Sequence, residues 1–109
     1  MIFISAQLLH ESVTMTAAVD AVRRAFVKVS AGQIEQPTRL VMEGGTALAM
    51  LARDRESGTT ALKALTVRPQ NRAAGRPAIQ ALVILFDGAS GTPEAVIDGI
   101  SLTTLRTGA

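Results

Sequence analysis

Apolar runs separated by turn-forming residues dominate the sequence between residues 38 and 98. The first two runs meet at Gly44 and Gly45, and adjacent glycines between apolar runs are typical of a β-hairpin. Later runs are separated by polar or Gly- and Pro-containing segments at residues 54–58, 69–75 and 88–93. Because short connections join antiparallel strands, the pattern favours a mixed or mostly antiparallel sheet over a doubly wound one. The predicted strands are residues 1–4, 38–43, 46–53, 59–68, 78–87 and 94–98.

Helical periodicity is clearest just after the first strand. Ser5 is a candidate N-cap for a short helix through about Glu11, and Thr14 or Thr16 for a longer helix that Gly32 ends. The longer helix carries apolar residues at 3- and 4-residue steps, which form one stripe. The stripe consists of Met15, Ala18, Val19, Val22, Ala25, Phe26 and Val29. The sequence therefore predicts an α/β fold of the α+β type, in which an N-terminal amphipathic helix packs on the sheet.

Residues 99–109 have the pattern of a helix that has just begun. Ser101 and Thr103 are its candidate N-caps, and Leu102 and Leu105 begin an apolar stripe. The sequence stops without a C-cap, so we expect a single domain of residues 1–109 that is truncated at the start of a helix near residues 101–109. A terminus that simply frays is the alternative.

The composition argues against several classes of protein. The formal net charge is +2, three residues are aromatic and no Lys/Arg cluster occurs, whereas nucleic-acid binding needs a dense cationic surface. The absence of cysteine excludes disulfides and thiolate chemistry, and no apolar run approaches the ~20 residues that span a bilayer. We expect no nucleic-acid or membrane partner and a cytoplasmic location. The 48% hydrophobic content fits either a face covered by a partner or an ordinary Ala-rich core.

Three basic residues are the candidate binding groups. Alternation along residues 59–68 places Lys63 among apolar neighbours on one strand face, where an ammonium needs an anion or a partner. A lysine that reaches solvent from an edge strand is the alternative. Arg39 precedes a predicted strand, and Arg106 falls in the first turn of the predicted terminal helix. Arginine binds carboxylates through two parallel N–H bonds and helix N-termini favour anions, although each arginine alone also fits a surface charge.

Catalytic and metal-binding patterns are not recognisable. His10 is the only histidine and cysteine is absent, so we interpret His10 as a surface residue. Asp87 and Asp98 flank predicted turns and are interpreted as turn formers. We find no internal repeat, no nucleophile elbow and no Gly-rich phosphate-binding turn. The residues themselves therefore suggest no catalytic group and no dinucleotide site.

Six segments of the chain, taken in order, resemble one known family. They are FISAQLL (3–9), AVDAVRRAFVKVSAG (18–32), PTR (37–39), LKALTVRPQN (62–71), GRPAIQA (75–81) and LFDGASGTPEAVIDGISLTTLRTGA (85–109). The family is that of ornithine cyclodeaminase and mu-crystallin, and D-G-x-x-L-T-x-x-R-T-G-A at residues 98–109 is the most specific part. The resemblance covers essentially the whole chain but only the first third to half of a member. The chain reads Met50-Leu51-Ala52 where members usually carry Met-Pro-Ala.

The resemblance implies a two-domain enzyme of which these residues form the substrate-binding and dimerisation domain. The family's Rossmann half, which binds NAD or NADP and carries its catalytic aspartate, is absent from the sequence, so neither cofactor nor activity is expected for this chain alone. Family members act on amino or cyclic imino acids, as ornithine cyclodeaminases, ketimine reductases such as those for pyrroline-2-carboxylate, or alanine dehydrogenases. Selectivity among these substrates depends partly on the missing half.

The resemblance also implies roles for individual residues. Lys63 and Arg106 match the family positions that hold the substrate carboxylate, and Arg39 matches a further substrate contact. Thr107 matches a position on the nicotinamide side of the site. A homodimer is the expected assembly. A stand-alone, non-enzymatic domain for small-molecule binding or protein interaction is the alternative function.

Overall fold

One seven-stranded sheet forms the centre of the computed structural model, which describes residues 1–108. The strand order is β1-β7-β6-β5-β4-β2, and β3 also pairs with β4. The strands are β1 (Ile2–Ile4), β2 (Ile34–Glu35), β3 (Leu40–Val41), β4 (Ala47–Asp54), β5 (Thr60–Val67), β6 (Ile79–Phe86) and β7 (Pro93–Asp98). The helices are α1 (Ala6–Ser12), α2 (Met15–Ser30) and α3 (Gly99–Gly108).

Antiparallel pairing dominates the sheet, as the strand pattern predicts. Strands β4 to β7 pair antiparallel in succession, and only β1 runs parallel to its neighbour, β7. The long predicted strands are confirmed to within one residue at each end. The predicted strand at 38–43 is wrong in length, because a 3₁₀ turn at Glu43–Gly45 leaves only Leu40–Val41 in the ladder. The short strand β2 and the 3₁₀ turn Pro69–Ala74 were not predicted.

Two hairpin turns at the same end of the sheet share the sequence D-x-x-S-G-T. The pattern occurs at residues 54–59 and again at 87–92, so the interpretation that the chain lacks any repeat is wrong at this scale. In each copy the aspartate accepts hydrogen bonds from the backbone and from the serine hydroxyl. The backbone of Gly88 lies against that of Ser57, so the two turns are in contact.

Hydroxyl caps begin the first two helices. Ser5 accepts a hydrogen bond from the backbone N–H of Leu8 at 3.2 Å, which confirms the predicted cap. Of the two candidates for the longer helix, Thr14 is the cap, and its hydroxyl accepts from the N–H of Ala17 at 3.1 Å. Gly32 follows the end of α2 at φ 73°, a conformation that favours glycine.

The core lies on one face of the sheet. Val83, Ala95 and Ile97 are buried there together with Leu9 of α1. Side chains of α3, including Leu102 and Leu105, pack against the same cluster. Helix α2 contacts α3, and Lys28 near its C-terminal end forms an ion pair with Asp54 of β4 at 2.6 Å. This arrangement confirms the α+β fold with a mostly antiparallel sheet. The predicted packing of the longer amphipathic helix on the sheet is wrong, because α3 lies on β6 and β7 and α2 packs mainly against α3.

Much of the apolar surface remains accessible. On α2, Ala18 is buried but Phe26 is 66% exposed. On the sheet face opposite the core, Leu51 is 47% and Leu82 45% exposed. None of the helices within residues 1–108 is long and apolar enough to cross a membrane.

Candidate functional site

Lys63 lies at the middle of the sheet, on the face that carries the core. It pairs with Met50 on β4 and with Val83 on β6, and paired residues of antiparallel strands point to the same face. Val83 is buried at 7% exposure, whereas Lys63 is half-buried. Strand β5 is central, so the alternative of a lysine reaching solvent from a sheet edge is wrong. The ammonium is therefore held at the border of the core.

The partner of the Lys63 ammonium is a neutral hydroxyl. Its Nζ donates to Thr103 Oγ1 at 2.5 Å, which joins β5 to α3 across 40 residues of sequence. Among residues 1–108, no carboxylate lies within ion-pairing distance of this lysine. A hydroxyl partner does not neutralise an ammonium, which has further N–H donors for an anion.

Arg106 lies close enough to Lys63 for the two charges to interact. Burial lowers the pKa of the Lys63 ammonium below its ordinary 10.5, and the positive charge of Arg106 lowers this pKa further. Arg106 follows Thr103 by three residues on α3, so the two side chains share a helix face. Within residues 1–108 no carboxylate forms an ion pair with either cation, so a bound anion would relieve the repulsion between them.

The prediction that Arg106 sits in the first turn of its helix is wrong. Helix α3 begins at Gly99, because the Asp98 carboxylate accepts the backbone N–H of Ser101 at 2.9 Å and so caps the helix. The predicted caps Ser101 and Thr103 both lie inside the helix, and Asp98 is a cap rather than a turn former. Arg106 thus lies about two turns from the helix start. The helix N-terminus does not help it bind an anion.

Arg39 is exposed and directly precedes β3. Leu40 pairs with Ala49, so continuing the register by one residue places Arg39 opposite Met50, the neighbour of Lys63. Arg39 and Lys63 therefore fall in the same row across the sheet. Within the described part of the chain, no hydrogen bond or ion pair links Arg39 to Lys63 or Arg106.

The remaining candidate residues are away from this cluster or at its margin. Thr107 is exposed on α3 next to Arg106. His10 is exposed on α1, as predicted, and no metal-binding group of side chains occurs among residues 1–108. Asp87 is a turn former, and hydrogen bonds from Ser90 hold the pKa of its carboxyl below the usual value.

Sequence reasoning missed Thr103 as the partner of Lys63. It considered Thr103 only as a helix cap, because the helix was expected to begin later than it does. The available signal was the spacing of Thr103 and Arg106, three residues apart and hence on one face of a helix that starts at Gly99. The Lys28–Asp54 ion pair was missed as well, since it joins elements 26 residues apart without any local pattern.

Comparisons with known proteins agree on one family. The family model described as "Ornithine cyclodeaminase/mu-crystallin family" matches residues 2–109. The chain is 33% identical over 113 residues to a Δ1-pyrroline-2-carboxylate reductase of Bacillus cereus, a match that covers all of the chain and 35% of that protein. The chain thus spans about a third of the length of the curated relatives it matches.

Solved structures show the same fold over the same part. The Δ1-pyrroline-2-carboxylate reductase of Thermococcus litoralis, in complex with NADH and L-proline, superposes with a TM-score of 0.85 at 28% identity, covering 99% of this chain and 35% of that one. An archaeal alanine dehydrogenase dimer with bound NAD superposes with a TM-score of 0.86 at 30% identity, covering 97% and 33%. The chain belongs to the ornithine cyclodeaminase/mu-crystallin family.

Proposed function

We propose that this chain is the substrate-binding and subunit-pairing domain of an NAD- or NADP-dependent enzyme that acts on amino or cyclic imino acids. In this proposal Lys63 and Arg106 hold the substrate carboxylate. The observation that carries it is the half-buried Lys63 ammonium, which among residues 1–108 has a hydroxyl and a second cation as neighbours but no carboxylate. The reductase relative that binds L-proline supports this class of ligand.

The two cations would contact the carboxylate in different ways. Lys63 supplies a point charge from the floor of the sheet, and Arg106 supplies a planar guanidinium that can form two parallel N–H bonds to one carboxylate. Arg39 adds a third cation from the same sheet row, and Thr107 lines the edge of the site toward a cofactor. Fixing the carboxylate in this way orients the carbon that bears the amino or imino nitrogen.

The residues present do not fit a dinucleotide. Binding of a pyrophosphate needs a Gly-rich turn between a strand and a helix of a parallel βαβ unit. In residues 1–108 the only parallel pair is β1 with β7, and its strands lack such a turn. We therefore assign the nicotinamide cofactor to a part of the enzyme outside this chain, and expect no turnover from these residues alone.

Pairing with a second copy is the proposed role of the sheet face opposite Lys63. Leu51 and Leu82 are about half exposed there. Exposed apolar residues on one sheet face are typical of protein–protein interfaces, and a two-fold dimer is the commonest arrangement of identical subunits. The dimeric alanine dehydrogenase relative supports pairing with a second copy.

Carboxylate binding by the isolated chain tests the proposal. L-proline is titrated against the wild-type chain and against Lys63→Met and Arg106→Met, with L-prolinamide as the control ligand that lacks the carboxylate. We expect saturable binding of L-proline only, weakened at least tenfold by either substitution, about the effect of losing one charged contact. Lys28→Met is the matched control, because Lys28 is the only other lysine. Equal binding of the amide, or full binding by Lys63→Met, would contradict the proposed site.

The stand-alone binding domain is the less supported function. The relatives named above are reductases and a dehydrogenase. This chain matches only about a third of the length of each of them.

A further inference from the structure

The hydroxyl of Thr103 has an O–H donor that its contact with Lys63 does not use. Its oxygen accepts the Lys63 Nζ–H, while its own O–H donates to no group among residues 1–108. Thr103 is half-buried on the face of α3 that also carries Arg106. A hydroxyl that accepts from an ammonium is polarised by it, and its own proton becomes a stronger donor.

We propose that Thr103 is the positioning residue of the anion site, holding Lys63 Nζ beside Arg106 while its own O–H donates to the bound carboxylate. This inference rests on the proposed function, because it takes Lys63 and Arg106 as the carboxylate-binding pair. It assigns a third donor to the ligand, from the same helix turn as Arg106.

The chemistry of the side chain explains why a threonine suits this position. An aspartate would bind Lys63 more strongly, but it would neutralise the ammonium and repel an anionic ligand. A valine has the same shape but would leave one Lys63 N–H without an acceptor at the border of the core. The γ-methyl of threonine restricts rotation about χ1, so the hydroxyl is fixed more firmly than that of a serine.

Two variants of the full 109-residue chain separate the hydroxyl from the side-chain shape. Thr103→Val removes the hydroxyl and keeps the volume, whereas Thr103→Ser keeps the hydroxyl. Lysine labelled with ¹³C at Cε gives one signal each from Lys28 and Lys63, the only lysines of the chain. Lys63 reports on the site and Lys28, paired with Asp54 on β4, serves as the internal reference for folding. Each variant is titrated with L-proline and, separately, with alkali.

The expected results distinguish positioning from a structural role. Thr103→Val should bind L-proline about tenfold more weakly, as expected for the loss of one hydrogen bond to an anion. Because the hydroxyl accepts from the charged form of the amine, the pKa of Lys63 should fall further in this variant, while that of Lys28 stays unchanged. Thr103→Ser should remain close to wild type in both measurements. A merely structural threonine would move both lysine signals, or neither.

Failure of the inference differs from failure of the proposed function. If the wild-type Lys63 signal does not respond to L-proline, the carboxylate site is overturned together with the donor role of Thr103. The alkaline titration then still decides the positioning role. If the wild type binds L-proline and Thr103→Val binds it equally well with the same Lys63 pKa, the site stands and the role of Thr103 is overturned.

Discussion

Lys28 and Asp54 form an ion pair at 2.6 Å that attaches the C-terminal end of α2 to the end of β4. The hydrogen bond between them holds the pKa of Asp54 below its ordinary 3.8 and that of Lys28 above its ordinary 10.5. Asp54 also accepts from the Ser57 hydroxyl, so the same carboxylate organises the turn that follows β4. Helix, strand and turn therefore depend on one acidic side chain.

The first prediction concerns the pH dependence of this pair. Its stabilisation is present above pH 3.8 and is lost as the pH falls through the lowered pKa of Asp54; at the alkaline end it is lost as the pH rises through the raised pKa of Lys28. Urea unfolding at a series of pH values should show Lys28→Met less stable than wild type only between these limits. Arg24→Met, which removes the exposed Arg24–Asp20 pair, is the control and should change little. A pH-independent difference would contradict the prediction.

The second prediction is that Lys63 lowers the stability of the fold. Because its folded-state pKa is depressed, the folded chain holds the lysine charge less favourably than the unfolded chain does. The free energy of unfolding should rise as the pH increases from that lowered pKa toward 10.5, and Lys63→Met should lack this rise. At neutral pH we expect Lys63→Met to be more stable by about 1 kcal/mol, as is common when a functional group is removed. Chemical denaturation at a series of pH values measures the pH dependence and the stability difference. A Lys63→Met chain less stable than wild type would indicate a structural lysine.

The third prediction concerns the cap of α3. Asp98→Ala removes the acceptor for the Ser101 N–H and should lower the free energy of unfolding by about 1 kcal/mol. Since α3 carries Thr103 and Arg106, L-proline binding should weaken as well. Asp98→Asn retains a capping oxygen and should preserve both properties. Circular dichroism and the ligand titration check the result, and an Asp98→Ala chain that matches wild type in both would rule out the cap.

The fourth prediction tests the sheet face proposed for subunit pairing. Leu82→Lys places a charge at the centre of that face and should shift the chain toward the monomer in sedimentation velocity, since desolvating an unpaired charge opposes association. Val27→Lys changes a residue of α2 that is 66% exposed and serves as the control. Pairing through the sheet is disproved if Leu82→Lys sediments as the wild type does.

Local patterns were sufficient to predict most of the fold. Alternation and turn residues located β4 to β7, and hydroxyl caps located α1 and α2, because these features depend on neighbours in the sequence. The two-residue strand β2 was missed, since two residues carry no periodicity. The start of α3 was misplaced because Asp98 ends a strand and caps a helix at once, and the turn interpretation of that residue competed with the cap.

The site could be predicted only in part, because sequence patterns report on neighbours along the chain and not on tertiary contacts. Alternation singled out Lys63 as a charge on an apolar face, and the family resemblance added Arg106 and Arg39. The Thr103 contact depends on how α3 packs across the sheet, which no spacing between residues 63 and 103 encodes. The neighbouring charge that lowers the pKa of Lys63 likewise arises only from the tertiary arrangement.

The contact between the two D-x-x-S-G-T turns has a consequence for how the chain tolerates change. A Cβ built at Gly88 would collide with the backbone carbonyl of Ser57, and one at Gly58 would lie 2.7 Å from the carbonyl oxygen of Gly88. Backbone cannot give way as a side-chain tip does, so insertions or larger residues in one turn displace the other. At Gly45, on the opposite end of β4, an added Cβ meets nothing within 4 Å. Engineered loop insertions should therefore be tolerated better at the Gly45 end of the sheet, where the φ of 69° still favours glycine itself, while the two paired turns keep their length.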